Sequence, residues 1–438
     1  MVRWDACLVV AVASARMNYR RDVTDVPIDT AWMQDVLLEL LRIPSPSGRT
    51  DVVMQHVGER LEEVGLSFEL TRRGAMIARL GGQDGTDGVD RAVAVHTDTI
   101  GCMVRDLKDN GRLAVAPVGT HSSRFSEGTR VSIFTDDPEQ TYTGTILPIK
   151  ASGHAFGDAV DHQPVSWDHV EVRVDERVSC AQDLRDLGIR IGDFVAQIAF
   201  PVITRSGFVT SRHLDDKAGV AAVLAAFKAV KDAGITPQVG TELLITIAEE
   251  VGHGAAGLGR HVAEMLSVDS AVVAPGQHST ETGVSIAMQD LHGPFDYHLT
   301  RVLCDLAEAH EIESNRDVFR YYRSDVASAI ESGAETRAAL IGFGVDATHG
   351  HERTHLDGIV ATARLVALYL QAPLTFEEWD ASPTGSLEHF PSSAVQPVRR
   401  EPEWDPEDEE LYESEPFSEV DGSYVSLRGA STVDDEEE

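Results

Sequence analysis

Two short apolar runs end abruptly in side chains that bind protons or metal ions, and nothing else in the sequence constrains the fold as tightly. Ala92-Val93-Ala94-Val95 runs directly into His96-Thr97-Asp98, and the mostly apolar stretch Leu243 to Ala248 runs into Glu249-Glu250. A strand that is apolar at consecutive positions has to be covered on both faces, as in a parallel sheet flanked by helices. Ligand-type residues at the ends of such strands collect along one edge, where open α/β sheets carry their sites. The two runs therefore predict an α/β fold with its site at that edge.

The flanking sequence supplies the helices. Trp32, Val36, Leu37, Leu40 and Leu41 recur at helical spacing behind Asp29-Thr30, and Ile43-Pro44-Ser45-Pro46-Ser47-Gly48 stops them. Val53, Val57, Leu61 and Val64 mark a second helix over Asp51 to Val64, and Lys217 to Lys231 reads as a third that Gly234 ends. Val302 to Ala309 and His355 to Leu370 complete the helices. Val272 to Ala274, Val284 to Met288 and Ala339 to Phe343 read as further strands. From about Met103 to Gly207 the texture changes to short alternating segments between Gly, Pro and Asp turns, the pattern of a small all-β module set inside the α/β domain. The expected organisation is an N-terminal extension over 1–29, an α/β domain over 30–102 and 208–372, the β insert over 103–207, and an acidic tail over 373–438. Residues 401–438 carry 16 acidic residues and one arginine, too much like charge and too little apolar surface to offset the entropy of ordering.

Charge and cysteine usage narrow the function classes. With 37 basic and 72 acidic residues the net charge is −35, which excludes nucleic-acid binding by bulk electrostatics. Only five residues are lysine, a balance that suits a solute-rich cell interior and that a GC-rich genome also favours. No apolar run reaches the 18 or so residues a membrane span needs. Cys7, Cys102, Cys180 and Cys304 lie far apart with no C-x-x-C pair, so a cytoplasmic, reducing location is expected. The apolar stretch Ala6 to Ser14 is short and follows Asp5, and reads as a plain extension, with Met17 as an alternative start.

The chemistry lies in four places: His96-Thr97-Asp98, Leu214-Asp215-Asp216-Lys217-Ala218-Gly219, Glu249-Glu250-Val251-Gly252, and His349 after the strand through Phe343. Each has a plain structural reading. His96 and Asp98 could be a hydrogen-bonded pair at a strand end, and Asp215 or Asp216 a helix cap. Glu249-Glu250 is harder to absorb, because adjacent glutamates at the rim of a core need a counter-charge. Together the four form an imidazole and carboxylate set suited to zinc or cobalt. Asp215 stands where a bridging carboxylate belongs, Glu250 and His349 would complete one ion's shell, and His96 would join the other. Asp98 would take the second ring N–H of His96, leaving Glu249 free as general base.

The motifs HTD, LDDKAG, AEEVGHGAAG and a late THG, in this order over about residues 30–371, resemble the dinuclear metallo-aminopeptidases of the glutamyl, or tetrahedral (deblocking), aminopeptidase group. The sequence is similar in particular to a branch associated with biosynthesis of the osmoprotectant N-acetylglutaminylglutamine amide. The resemblance implies a mixed-sheet α/β metallopeptidase domain with a barrel-like dimerisation insert, assembly into a homo-oligomer as large as a dodecamer, and removal of N-terminal residues from peptides by a metal-activated water. It makes His96, Asp215, Glu250 and His349 ligands of two divalent ions, Asp98 the partner of His96, and Glu249 the general base. His351 and His355 stand close to His349 and compete for its assignment. The family also places an aspartate ligand at the end of the strand after the Glu-Glu motif. Reading that strand as Asp269 to Ala274, Pro275 falls at the aspartate's place, which predicts a weak second site or a substitute ligand from Gln277 or His278. The competing functions are an amidase or deacylase acting on a small N-acyl or dipeptide metabolite, and a non-catalytic oligomeric scaffold with a decayed site.

Overall fold

The first two helical patterns become α1 (Thr30–Arg42) and α2 (Asp51–Val64) in a computed structural model that describes residues 23–83 and 90–375. Asp29 caps α1 by accepting the Trp32 N–H, and Gly65 ends α2 in the left-handed conformation. The acidic tail beyond residue 375 and the start of the chain up to residue 22 lie outside the described residues. Val23 and Val26, within the stretch expected as an extension, are buried in the main core.

Three strands follow: β1 (Phe68–Leu70), β2 (Met76–Leu80) and β3 (Arg91–His96). The insert then contributes β4 (Gly101–Leu107), β5 (Leu113–Val118), β6 (Arg130–Phe134), β7 (Thr141–Pro148), β8 (Val170–Val174) and β9 (Phe194–Gln197). These six close into a barrel in the order β4-β5-β8-β7-β6-β9 around its own core of Val104, Leu113, Val131, Ile133, Ile146, Val172 and Val195. The alternating segments read as an all-β module are this barrel, and its helices are short, none longer than the six residues of Ala181–Asp186 among the described residues.

The chain returns through β10 (Val202–Ile203) and β11 (Phe208–Ser211) to the long helix α3 (Leu214–Asp232), and then to β12 (Thr241–Thr246) and β13 (Glu264–Val273). The remaining elements are β14 (Val284–Asp290), β15 (Gly293–Pro294), α4 (Tyr297–Ala309), β16 (Ser314–Val318), α5 (Asp325–Glu331), β17 (Arg337–Asp346), β18 (Glu352–His355) and α6 (Leu356–Gln371). Among the described residues the main sheet has 12 strands, with the path β1-β2-β12-β3-β13-β17-β18-β11-β10 and β14 joined to β17. Its centre, β12-β3-β13-β17, is parallel; the flanking strands of the path and β14 on β17 pair antiparallel, and β16 pairs parallel with β14. The continuous apolar runs are explained by what covers them. Val93, Val95, Leu243 and Ile245 enter the core shared with α1, α2, α3 and α6, whereas Ala92, Ala94 and Leu244 face a second cluster with Val326 and Ala329 of α5.

Two boundary differences from the sequence expectation are the largest. Helix α4 begins before Val302, because the Asp296 side chain accepts the His298 and Leu299 N–H groups and starts it at Tyr297. Strand β13 begins at Glu264, so Asp269 lies in its middle and not at its start. No described helix is long and apolar enough to cross a membrane.

Candidate metal centre

Strand register brings the ligand-type residues to one level. Thr246 pairs with His96, so Glu249 and Glu250 follow just beyond the end of β12. Ser267 pairs with Ala94, which sets Asp269 level with His96 on the neighbouring strand. Asp269 in turn pairs with Gly342 of β17, and the chain past that strand presents His349 in the left-handed region at φ 63°. Helix α3 supplies Asp215 and Asp216, both with non-helical backbone angles at its start. An added Cβ at Gly219 would fall on the Asp216 carboxylate, which explains the glycine that closes the LDDKAG motif.

The two histidines converge on opposite oxygens of Asp215. His96 Nε2 lies 3.3 Å from Asp215 Oδ1, and His349 Nε2 lies 3.5 Å from Asp215 Oδ2. A further carboxylate backs each: Asp269 Oδ1 is 3.8 Å from His96 Nε2, and Glu250 Oε2 is 3.3 Å from His349 Nε2. Glu249 Oε2 approaches His96 Nε2 at 3.9 Å from the cleft side. The outer ring nitrogens are tied to main-chain oxygens, His96 Nδ1 to Asp98 O at 2.9 Å and His349 Nδ1 to Thr120 O of the barrel at 2.8 Å. A cleft of about 990 Å³ opens above, walled by Val272, Leu291, Phe319 and Tyr322 and bordered by Arg320 and Arg323.

Comparison with known proteins shows the family. Residues 74–365 match the family described as M42 glutamyl aminopeptidase. The chain belongs to that family. It is 38% identical over 341 residues to "Putative aminopeptidase YhfE" of Bacillus subtilis (strain 168), covering 78% of this chain and 97% of that one. It is 26% identical over 227 residues to the glutamyl aminopeptidase of Lactococcus lactis subsp. cremoris (strain MG1363), covering 50% of this chain and 60% of that one. Among solved structures, the aminopeptidase APDkam598 from Desulfurococcus kamchatkensis superposes with a TM-score of 0.71 at 21% identity, over 82% of this chain and 99% of that chain. The Pyrococcus horikoshii TET1 peptidase, described as assembling into a tetrahedron or a large octahedral shell, gives 0.68 at 20% identity over 77% and 99%. These last two likenesses establish the fold. This M42 chain is a peptide hydrolase of the metallopeptidase kind.

The electrostatics of the M42 site fit a cation. Ligand atoms of His96, Asp215 and Asp269, all buried, lie within 4.8 Å of one another. His96 Nε2 and Asp216 Oδ1 are buried without hydrogen-bond partners. Burial, together with Asp215, raises the Glu250 carboxyl to about 8 against the lowering effect of His349, and burial with Asp215 raises Asp269 to about 6. Burial lifts Glu249 well above its ordinary value, reinforced by Asp269, Asp325 and Glu250 and opposed by His96. Burial disfavours a charged His96, yet Asp215, Asp269 and Asp98 together hold it well above the usual histidine range. Asp215 is desolvated too, but its two histidine partners hold it well below the carboxylate range. So many buried carboxylates around two imidazoles need positive charge, and an oxygen-and-nitrogen donor set without thiolates suits zinc or cobalt.

The structure also corrects the sequence expectation about the missing aspartate. Asp269, not a residue at the position of Pro275, stands beside His96 and Asp215. Gln277 Nε2 and the His278 N–H bond to Asp317, and the His278 side chain is exposed, so neither is needed as a substitute ligand. The error came from starting the strand at Asp269; a charged residue inside the run Met265 to Val273 was the available signal. Asp98 does more than expected. Its carboxylate accepts the Glu249 and Glu250 N–H groups at 3.1 and 3.3 Å and the Ser47 hydroxyl, so it fixes the glutamate turn as well as His96. Of the rival histidines, His355 caps α6 and bonds Ser206 O, and His351 is exposed; neither comes near Asp215. Sequence reasoning missed Glu352 altogether.

Proposed function

We propose that the chain is an aminopeptidase that uses two divalent ions bridged by Asp215, with Glu249 as general base. The observation that supports it most is the pairing of both Asp215 oxygens with separate imidazoles, each backed by its own carboxylate. His96 and Asp269 would hold one ion with Asp215, and His349 and Glu250 the other. Bound there, zinc or cobalt would supply Lewis acidity to polarise the scissile carbonyl and to acidify a water. Glu249, at the cleft and outside both ligand sets, takes the proton from the attacking water and returns it to the leaving amine. Asp98 keeps His96 and the glutamate turn in register for this.

The finer context follows from resemblance. Self-association into a homo-oligomer, up to a dodecamer, agrees with the likeness to an enzyme described as dodecameric and with Ile149, Phe156 and Val165 standing exposed on the barrel insert. A link to osmoprotectant dipeptide metabolism rests on the branch resemblance and accords with the acidic composition. A cytoplasmic site accords with free thiols at Cys102, Cys180 and Cys304. The test is a panel of free and N-acetylated dipeptides and tripeptides before and after chelation. Release of the N-terminal residue from free peptides alone, lost on chelation and restored by zinc or cobalt, is expected. Cleavage of only the acetylated set would make the protein a deacylase; no cleavage and no bound metal would make it a scaffold.

A further inference from the structure

One carboxylate outside the ligand set touches both chain segments that present the two sides of the centre. Glu352, buried at the start of β18, accepts the Leu214 N–H at 2.6 Å and the Asp215 N–H at 3.2 Å through Oε2, and the His349 N–H at 2.9 Å through Oε1. Those N–H groups are free to point at it because the chain turns through left-handed residues at both places, His213 at φ 66° and His349 at φ 63°. The turn that carries His349 is held from other directions too. Thr120 O takes the ring Nδ1, and the Gly350 carbonyl accepts from Arg212 Nη1 at 3.1 Å. Among the described residues, Glu352 is the side chain that bonds both the backbone of the Asp215 segment and that of the His349 turn.

We infer that Glu352 is a positioning residue that sets the distance between Asp215 and His349, and thereby the affinity for the ion on the His349 and Glu250 side. This rests on the reading of the site as a two-ion centre. The ion on the His96 and Asp269 side meets Glu352 only through the shared Asp215, whereas the other ion meets it through both Asp215 and His349, so the His349 side depends on it more. A neutral amide of the same shape cannot replace the carboxylate: with one oxygen and one NH2, either orientation sets an N–H against an N–H, at Leu214 and Asp215 or at His349. Partners that orient metal ligands change affinity by roughly 10–100-fold when altered.

The experiment titrates the chelated full-length chain with zinc and resolves the two binding steps for the wild type, Glu352→Gln, His349→Ala and the double variant. Glu352→Gln is expected to weaken one step roughly 10–100-fold and the other distinctly less, through the shared Asp215. In the double variant it should add little to His349→Ala, because both act chiefly on the same ion. Glu352→Asp, which keeps the charge at shorter reach, should fall between, and its melting temperature in chelator guards against a mere folding defect. Two wild-type binding steps in Glu352→Gln, equal weakening of both, or full additivity with His349→Ala would overturn the inference while leaving the two-ion reading intact. A wild-type chain that binds no zinc would remove both.

Discussion

At the scale of single residues, in the proposed reading the groups that would hold an ion are separate from the one that would move a proton. Glu249→Gln keeps the shape and removes the base, so it is expected to retain bound metal and fold while turnover drops ~10²–10⁴-fold. Near-normal turnover with bound metal would move the base elsewhere. The correction at Asp269 makes an equally sharp contrast. Asp269→Asn should weaken one ion, whereas His278→Ala should leave metal content and activity unchanged, since the His278 side chain is exposed and only its N–H is used. Metal analysis after dialysis checks both, and metal loss in His278→Ala would restore the substitute-ligand idea.

At the scale of elements, what could be read from sequence was whatever local pattern decides. The paired coverage of Ala92 to Val95 and Leu243 to Ala248 follows from apolar continuity alone, and the alternating segments after Met103 do form a closed barrel. Asp269 was misread because an isolated carboxylate inside a strand looks like a strand boundary until register with β3 sets it level with His96. Glu352 was illegible because its role is to join two segments far apart in sequence, and no local pattern marks that. Arg212 belongs to the same class. Its buried guanidinium bonds Gln197 Oε1 and Gly350 O through Nη1, and Phe125 O and the Thr129 hydroxyl through Nη2, fastening the barrel to the His349 turn. Arg212→Met removes those donors and leaves buried acceptors unpaired, so urea unfolding of the chelated chain should show a loss of roughly 2–5 kcal/mol. An unchanged midpoint would mean that the barrel is held by other contacts.

At the scale of the whole molecule, the buried acids tie stability to pH and to metal. Glu250 and Glu352 are raised to about 8, and Asp269 and Asp325 to about 6, by burial and by neighbouring carboxylates, while the acidic partners of His96 and His349 hold both imidazoles well above the usual range. Every one of these groups binds its proton more tightly folded than unfolded. Their contribution is complete below the unfolded values and is lost as pH rises through the folded ones. Asp215 shifts the other way but titrates below this window; burial also lowers His121 to about 4, His213 to about 3 and Lys217 to about 7, which opposes the trend, but the groups with raised values outnumber them. The chelated chain should therefore melt at progressively lower temperature from about pH 5 to about pH 8, and added zinc should raise the melting point most at the alkaline end. A chelated chain whose stability rises with pH would contradict this. The central claim is that one carboxylate is shared by two ions, and it is tested most directly by counting zinc ions bound per chain in the wild type and in Asp215→Asn. Two ions in the wild type and loss of both in the variant are expected; a variant that still binds two with unchanged affinity would contradict the bridging role of Asp215.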